Sequence, residues 1–161
     1  MQSNGTSTAS SDNPGVAILP PVLYGGAFVA VLMLQWIWPL TIVRQPIAFW
    51  LGLVLSVSAL IIGAWGRRAM HGAPTNISPL KPSISLVTTG PFRFSRNPLY
   101  VAITLLYVGL TMLLNTWWGV LLLTPVLVAL HWGVVRREER YLQLKFGEEY
   151  DKYRSRVRRY L

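Results

Sequence analysis

Four apolar runs, each nearly free of charge, divide this sequence. They cover approximately residues 16–40, 47–65, 97–114 and 117–135. A helix of roughly 20 apolar residues is long enough to cross the hydrocarbon core of a bilayer. Only 13% of the 161 residues are charged, whereas soluble proteins have roughly 25%. The runs therefore predict an all-α integral membrane protein with about four transmembrane helices.

The lysine and arginine residues are distributed unevenly between the two sides that four spans would create. The 66–96 loop holds five of the fifteen and the carboxyl tail holds nine, while Arg44 alone lies in the opposite loop. Because positive residues favour the cytoplasmic side, we expect the N-terminus, the 66–96 loop and the C-terminal tail to be cytoplasmic. A three-span alternative, with a re-entrant third run, would separate the loop from the tail.

The chain has a polar tail at each end. Residues 1–15 are rich in Ser, Thr, Asn and Gly and carry no Lys or Arg, which predicts a disordered tail and not a signal peptide. Residues 136–158 repeat apolar and aromatic side chains every three or four positions. This pattern predicts an amphipathic helix on the lipid headgroups, kinked at Gly147. Residues 16–161 are expected to form one domain.

The composition excludes several kinds of chemistry. The sequence has no Cys, and its two His residues, His71 and His131, are sixty positions apart, so we expect neither a thiolate nucleophile nor a metal site. The net charge is +9, and the basic residues flank the apolar runs. This placement indicates membrane lipids and not nucleic acid as the partner. Small residues of the second run could pack within the chain or between subunits, which leaves the oligomeric state open. These residues are Gly52, Ser56, Ser58 and Gly63.

Three polar motifs would meet at the cytoplasmic ends of the spans. They are the loop segment 85–92, the box 96–100, and the pair formed by Glu138 and Glu139. Pro98 suits the first turn of a helix, where free amide groups could hold an anionic group. Carboxylates beside a span need a cation or hydrogen-bond donors. The convergence of the motifs predicts a functional site at this membrane face.

The same motifs also have a structural explanation. Arg96 could extend to the headgroups, Asn97 could cap the helix, and Tyr100 could belong to the interfacial aromatic belt. The acidic pair could be neutralised by arginines next to it in the sequence. These are Arg136, Arg137 and Arg140.

The order and spacing of the motifs resemble those of the isoprenylcysteine carboxyl methyltransferase and phospholipid methyltransferase superfamily. The likeness extends over approximately residues 63–157 and includes a further motif, Phe-Gly-Glu-Glu-Tyr, at 146–150. It implies an integral-membrane enzyme that binds S-adenosylmethionine between the cytoplasmic loop and the ends of the last two spans. The tail would close over the cofactor.

The resemblance also implies which residues bind the cofactor. Carried over position by position, they are Ser85, Leu86, Val87, Phe92, Arg96, Asn97, Pro98, Leu99, Tyr100, Glu138 and Glu139. Asn97 stands where the prenylcysteine enzymes usually have His, although the phospholipid branch also has Asn there. Val134 stands where the prenylcysteine enzymes have a substrate-binding Arg, so recognition of a prenylcysteine would require Arg136 or Arg137 to substitute.

The predicted reaction is direct methyl transfer from S-adenosylmethionine to a lipidic or hydrophobic acceptor from the bilayer, with S-adenosylhomocysteine as the product. A base would be needed only for a protonated acceptor, and Glu139 and His131 are candidates. His131 lies seven residues before Glu138, on the same helix face, and could equally be a packing residue. Two alternatives are an NADPH-dependent reductase of the sterol-reductase type and a non-enzymatic lipid-binding scaffold.

Overall fold

The computed structural model describes residues 14–43, 45–72 and 83–160, and in these ranges the chain is helical without a β-strand. The helices are α1 (Pro20–Ile37), α2 (Gln45–His71), α3 (Pro98–Leu113), α4 (Trp117–Leu130), α5 (Arg136–Phe146) and α6 (Glu148–Arg156). A 3₁₀ turn covers Gly90–Arg93, and a π-helical turn, His131–Val135, joins α4 to α5. Residues 1–13 of the predicted disordered tail and residues 73–82 of the predicted loop lie outside the described ranges.

Three helices are long and apolar enough to cross a membrane: α1, α2 and the continuous helix that runs from α4 through α5. α3 is also apolar but has 16 residues, which give roughly 24 Å of helix against roughly 30 Å of hydrocarbon. Large apolar side chains are exposed on the outer faces of the bundle, among them Trp36, which is 88% exposed. Lipid tails can cover such a surface, whereas water cannot do so favourably. The predicted all-helical fold is confirmed.

Two helical segments differ from their predicted bounds. α2 continues past Trp65 and carries Arg67 and Arg68 before it ends at His71. Basic residues are favourable there because the last turn of a helix has a partial negative charge. The tail forms two helices in place of one, since Gly147 has a φ of 50° and interrupts the helix between α5 and α6. The predicted kink at Gly147 is confirmed.

α2 packs against α3 through small residues. A row of buried small side chains on α2 comprises Ala48, Gly52, Ser56, Ala59 and Gly66. A β-carbon placed on Gly52 would lie 2.7 Å from the carbonyl oxygen of Gly109 in α3, so the two backbones are in direct contact. Small residues allow this close approach in membrane helices. This face of α2 therefore packs within the chain.

Alanine at Gly109 is expected to lower the free energy of unfolding by about 1–3 kcal/mol, because overpacking a tight contact forces the backbones apart. The new β-carbon would lie 2.8 Å from the Ser56 nitrogen and 2.9 Å from the Gly52 oxygen. In the matched control, Gly63→Ala, the β-carbon meets only that of Ala102, at 3.7 Å, and we expect a change below about 0.5 kcal/mol. Unfolding in mixed micelles compares the variants. Equal stability would contradict the close contact.

The apolar core lies between α1, α3 and α4 and extends into the π turn. Its buried side chains include Tyr24, Val31, Tyr107, Val126, Leu130, Val134 and Val135. The backbone N–H of Ala17 donates a hydrogen bond of 3.2 Å to the carbonyl oxygen of Gly133 in the π turn. The segment before α1 therefore covers this end of the core.

The two ends of the bundle differ in character. At one end, the loop after α1 meets the short α3–α4 connection, where Asn115 bonds the backbone of Ile42 and Val43 through its side chain. Asn115 adopts a φ of 50°, a conformation that Asn tolerates better than most residues. The tight hairpin predicted between the last two apolar runs is thus present. The polar motifs gather at the opposite end.

Candidate functional site

A cavity of about 850 Å³, counted to its open mouth, lies at the polar end of the bundle. The end of α2, the segment before α3, the start of α3, and α5 and α6 form its walls. All eleven residues that the resemblance singled out line it: Ser85, Leu86, Val87, Phe92, Arg96, Asn97, Pro98, Leu99, Tyr100, Glu138 and Glu139.

The 3₁₀ turn holds the segment before α3 against α2. Gly90 in this turn has a φ of 60°, and a β-carbon there would lie 3.0 Å from that of Ala69 and 3.3 Å from Nε1 of Trp65. Only glycine combines this backbone conformation with this close approach. From the other side, the hydroxyl of Tyr153 in α6 donates to the carbonyl oxygen of Phe92 at 2.8 Å. The turn is therefore fixed from both sides, and it holds Phe92 at the cavity wall.

Arg96 lies inside the protein, where it forms an ion pair with Glu139. Its Nη1 is 3.1 Å from Oε1 of Glu139, and the two side chains are 9% and 13% exposed. Arg159, near the C-terminus, donates to the same carboxylate through Nε at 3.0 Å and Nη2 at 2.7 Å. Two arginines distant in sequence therefore converge on Glu139.

Two of the structural explanations for the motifs are wrong. Arg96 does not extend to the headgroups, because it is buried against Glu139. In the described part of the chain, the arginines next to the acidic pair form no ion pair with either glutamate. They are Arg136, Arg137 and Arg140, which are exposed. Neither Arg136 nor Arg137, the two predicted substitutes for a substrate-binding Arg, lines the cavity.

Asn97 precedes α3 but does not cap it through its side chain, so the capping explanation is wrong as well. Its Nδ2 instead donates to the carbonyl oxygen of Arg159 at 3.0 Å. Next to it, the N–H of Arg96 donates to the carbonyl oxygen of Arg158 at 2.9 Å. These bonds place residues 157–160, the C-terminal segment, against the start of α3.

Tyr100 joins α3 to α5 by a hydrogen bond. Its hydroxyl donates to Oε2 of Glu138 at 2.8 Å, so it does not belong to a surface aromatic belt. Among the described residues, Oε1 of Glu138 has no hydrogen-bond partner. One carboxylate of the acidic pair is therefore fully engaged by arginines, whereas the other can still accept a hydrogen bond from a ligand.

Two further polar atoms of the cavity-lining residues are buried without a partner in the described part of the chain. They are Oγ of Ser85 and Nε of Arg96. Buried polar groups in folded proteins are rarely left without a hydrogen bond. Both residues line the cavity, where a ligand can offer hydrogen-bonding groups.

Two tyrosines of α6 complete the wall. Tyr150 and Tyr153 are 1% and 8% exposed, and burial raises the pKa of both phenols. Both hydroxyls are therefore protonated at neutral pH, and that of Tyr153 uses its proton in the bond to Phe92, whereas that of Tyr150 accepts from Nη1 of Arg96 at 3.3 Å. The periodicity of the tail placed these rings on the apolar face of a surface helix, but it did not reveal that this face packs on the site. Sequence reasoning also missed Met70, Tyr141 and Leu142, which line the cavity.

An apolar groove of about 940 Å³, counted to its open side, lies beside the cavity between α3 and α4. Its walls are Tyr100, Val101, Thr104, Leu105, Leu127, Val128, Leu130, His131, Trp132 and Tyr160. Tyr100 lines both the groove and the cavity. The π turn separates His131, which lines the groove, from Glu138, which lines the cavity.

The family model described as phospholipid methyltransferase matches residues 47–149, more than half of the sequence. The chain belongs to the phospholipid methyltransferase family. This confirms the superfamily that the motifs resemble and, with the apolar helices, identifies an integral membrane protein of a methyltransferase family. No curated protein and no solved structure matches the chain.

The region that matches the phospholipid methyltransferase family runs from α2 to the start of α6. It therefore includes the segment before α3 and both glutamates, whereas Tyr150, Tyr153 and Arg159 lie beyond it. Within the described ranges, no cluster of His, Asp or Glu could hold a metal ion.

Proposed function

We propose that this protein transfers a methyl group from S-adenosylmethionine to a lipidic or hydrophobic acceptor that enters from the bilayer. The observation that carries the proposal is that Tyr100 is a wall of both the polar cavity and the apolar groove. A polar cofactor and an apolar acceptor can therefore bind on the two sides of one ring. The family match supports methyl transfer as the reaction.

The residues of the cavity fit S-adenosylmethionine. Oε1 of Glu138 can accept from the amino group or a ribose hydroxyl, and Nε of Arg96 and Oγ of Ser85 can bind the carboxylate. The ring of Phe92, which is partly exposed, suits the adenine or the sulfonium. When bound, the cofactor supplies an activated methyl group. The chain's own residues orient it and exclude water, which supplies much of the rate of a direct transfer.

We infer that α3 also crosses the membrane, which gives four spans with both termini, the α2–α3 segment and the tail in the cytoplasm. The length of α3 is a few ångströms short of the hydrocarbon thickness, but its packing along α2 supports a spanning position. The α3–α4 connection contacts the loop after α1, at the end opposite the cavity. The concentration of Lys and Arg near the cavity supports its cytoplasmic location.

Glu138→Gln is expected to weaken binding of S-adenosylhomocysteine about 10- to 100-fold, because a hydrogen bond to a charged acceptor contributes about 1.5–3 kcal/mol. Calorimetric titration of the detergent-purified protein measures this affinity. The matched control is Glu148→Gln, which removes the same charge from an exposed side chain of α6 and should leave the affinity unchanged. Equal affinities of the two variants would contradict the role of Glu138.

The same titration with NADPH tests the two alternatives. The methyltransferase proposal expects saturable binding of S-adenosylhomocysteine and none of NADPH. Binding of NADPH alone would favour a reductase. A folded protein that binds neither ligand would favour a lipid-binding scaffold.

A further inference from the structure

The apolar groove is lined by one imidazole, that of His131. We propose that His131, oriented by Tyr160, accepts the proton of a methyl acceptor that reaches the groove in protonated form, such as a primary amine on an alkyl chain. The inference rests on the proposed function and assigns a catalytic residue to its acceptor side.

The geometry of His131 suits a proton acceptor. Its Nδ1 lies 2.9 Å from the hydroxyl of Tyr160, and its ring packs edge-on against Trp132 at a centroid distance of 4.8 Å. Among the described residues, Nε2 has no hydrogen-bond partner. If Nδ1–H donates to the Tyr160 oxygen, the lone pair of Nε2 is available to the groove. The ring is thus held at one nitrogen and open at the other.

The backbone at His131 is unusual for a membrane-spanning helix. The π turn begins at this residue and runs to Val135. Such turns in α-helices occur frequently at functional sites. The turn also separates the face of His131 from that of Glu138, so the imidazole belongs to the groove while the carboxylate belongs to the cavity.

The residues around His131 disfavour a methyl acceptor that carries a charge. No Lys, Arg, Asp or Glu is among the residues that line the groove. The titratable groups at the groove are Tyr160, which bonds His131, and Tyr100 from α3, which bonds Glu138. Tyr24 from α1 bonds Thr104 of the groove lining at 2.6 Å.

Beside Tyr160, the guanidinium of Arg159 is already bound to Glu139. An ammonium group that enters this apolar space is destabilised by desolvation. The imidazolium that replaces it is desolvated as well, but its charge is stabilised by the hydrogen bond between Nδ1 and the Tyr160 hydroxyl. A carboxylate acceptor would find no cation in the groove lining.

The proton transfer between the methyl acceptor and the imidazole conserves atoms and charge. One N–H bond of the ammonium breaks, and its electron pair remains on nitrogen as the nucleophilic pair. The proton bonds to Nε2, which converts His131 to an imidazolium whose Nδ1–H still donates to Tyr160. Release of this proton to water restores the neutral ring.

The test uses the two histidines as separate reporters. In the full-length protein with labelled histidine, dodecylamine should shift the ring signals of His131 but not those of His71, which is exposed at the end of α2. His131→Gln assigns the signals. Dodecanoate, with the same chain and a carboxylate, should leave both histidines unchanged. No response to dodecylamine, or an equal response to dodecanoate, would overturn the proposal.

A kinetic test measures methylation of phosphatidylethanolamine vesicles across pH. His131→Gln should lower turnover about 100-fold, the usual range for loss of a general base, with the loss diminishing at high pH as free amine forms in solution. Its affinity for S-adenosylhomocysteine should equal that of the wild type. Tyr160→Phe should retain the pH profile with a smaller loss. Wild-type turnover by His131→Gln would overturn the proposal.

Different results would refute the proposed function and the role of His131. If the wild type does not bind S-adenosylhomocysteine, the proposed function fails, and the histidine signals still show whether the groove takes an amine. If that ligand binds but the signals of His131 do not respond to dodecylamine, the role of His131 alone is refuted.

Discussion

Substitution of Glu139 by glutamine is expected to destabilise the protein by about 3 kcal/mol, because it leaves a buried arginine without its counter-charge. Arg96, with a side chain 9% exposed, has no other carboxylate in an ion pair among the described residues. Arg159 is 39% exposed and can turn toward water, so most of the effect should come from Arg96. Thermal and denaturant unfolding in detergent measure the loss.

A control and a second-site variant make this expectation specific. Asp151→Asn removes a carboxylate whose pair with Arg154 is about half exposed, at 3.8 Å, and should change stability by less than about 1 kcal/mol. Adding Arg96→Met to Glu139→Gln removes the unpaired charge and should recover part of the loss. If Glu139→Gln were no less stable than Asp151→Asn, the buried pair would not stabilise the fold.

A chain that ends at Val157 is expected to lose both stability and cofactor affinity. The deletion removes the acceptors of Arg96 N–H and Asn97 Nδ2, the bidentate partner of Glu139, and the partner of His131. Loss of the ion pair and of the hydrogen bonds to Arg96 and Asn97 should cost about 3–5 kcal/mol together. Because the start of α3 is then no longer held, we expect the affinity for S-adenosylhomocysteine to fall by about 100-fold or more.

Deletion of Leu161 alone is the matched control for this truncation, since all of these contacts involve Arg158, Arg159 and Tyr160. It should retain the wild-type unfolding temperature and affinity. Calorimetry and thermal unfolding on the three chains decide the matter. A truncated chain with wild-type affinity would show that the C-terminal segment does not support the cavity.

Much of the fold and of the cavity lining follows from local sequence patterns. The apolar runs predict the helices because the cost of unpaired backbone groups in lipid forces each run to be helical. Gly147 predicts the break in the tail because only glycine readily adopts its positive φ. The eleven residues implied by the family resemblance line one cavity. They come together because the hairpin of α3 and α4 brings α5 back beside the start of α3.

The partners of individual charges could not be predicted in this way. Glu139 has Arg136 and Arg140 beside it in the sequence, but it binds Arg96, from the segment before α3, and Arg159, which reaches it when the chain after α6 folds back. The spacing of residues along one helix predicts which of them are neighbours on that helix, but it does not predict contacts with residues distant in sequence. The π turn at His131–Val135 was equally hidden, because an unbroken apolar run has no periodicity that could reveal one extra residue.

Tyr100 gives the proposed cofactor site and the proposed acceptor site a shared wall, through which binding at one can be coupled to binding at the other. Its ring is shared by cavity and groove, and its hydroxyl is fixed by Glu138. A ligand that displaces this ring on one side changes the free energy of binding on the other, and the coupling must be equal in both directions. The two proposed substrates are therefore expected to bind cooperatively or antagonistically, not independently, through the orientation of a single phenol.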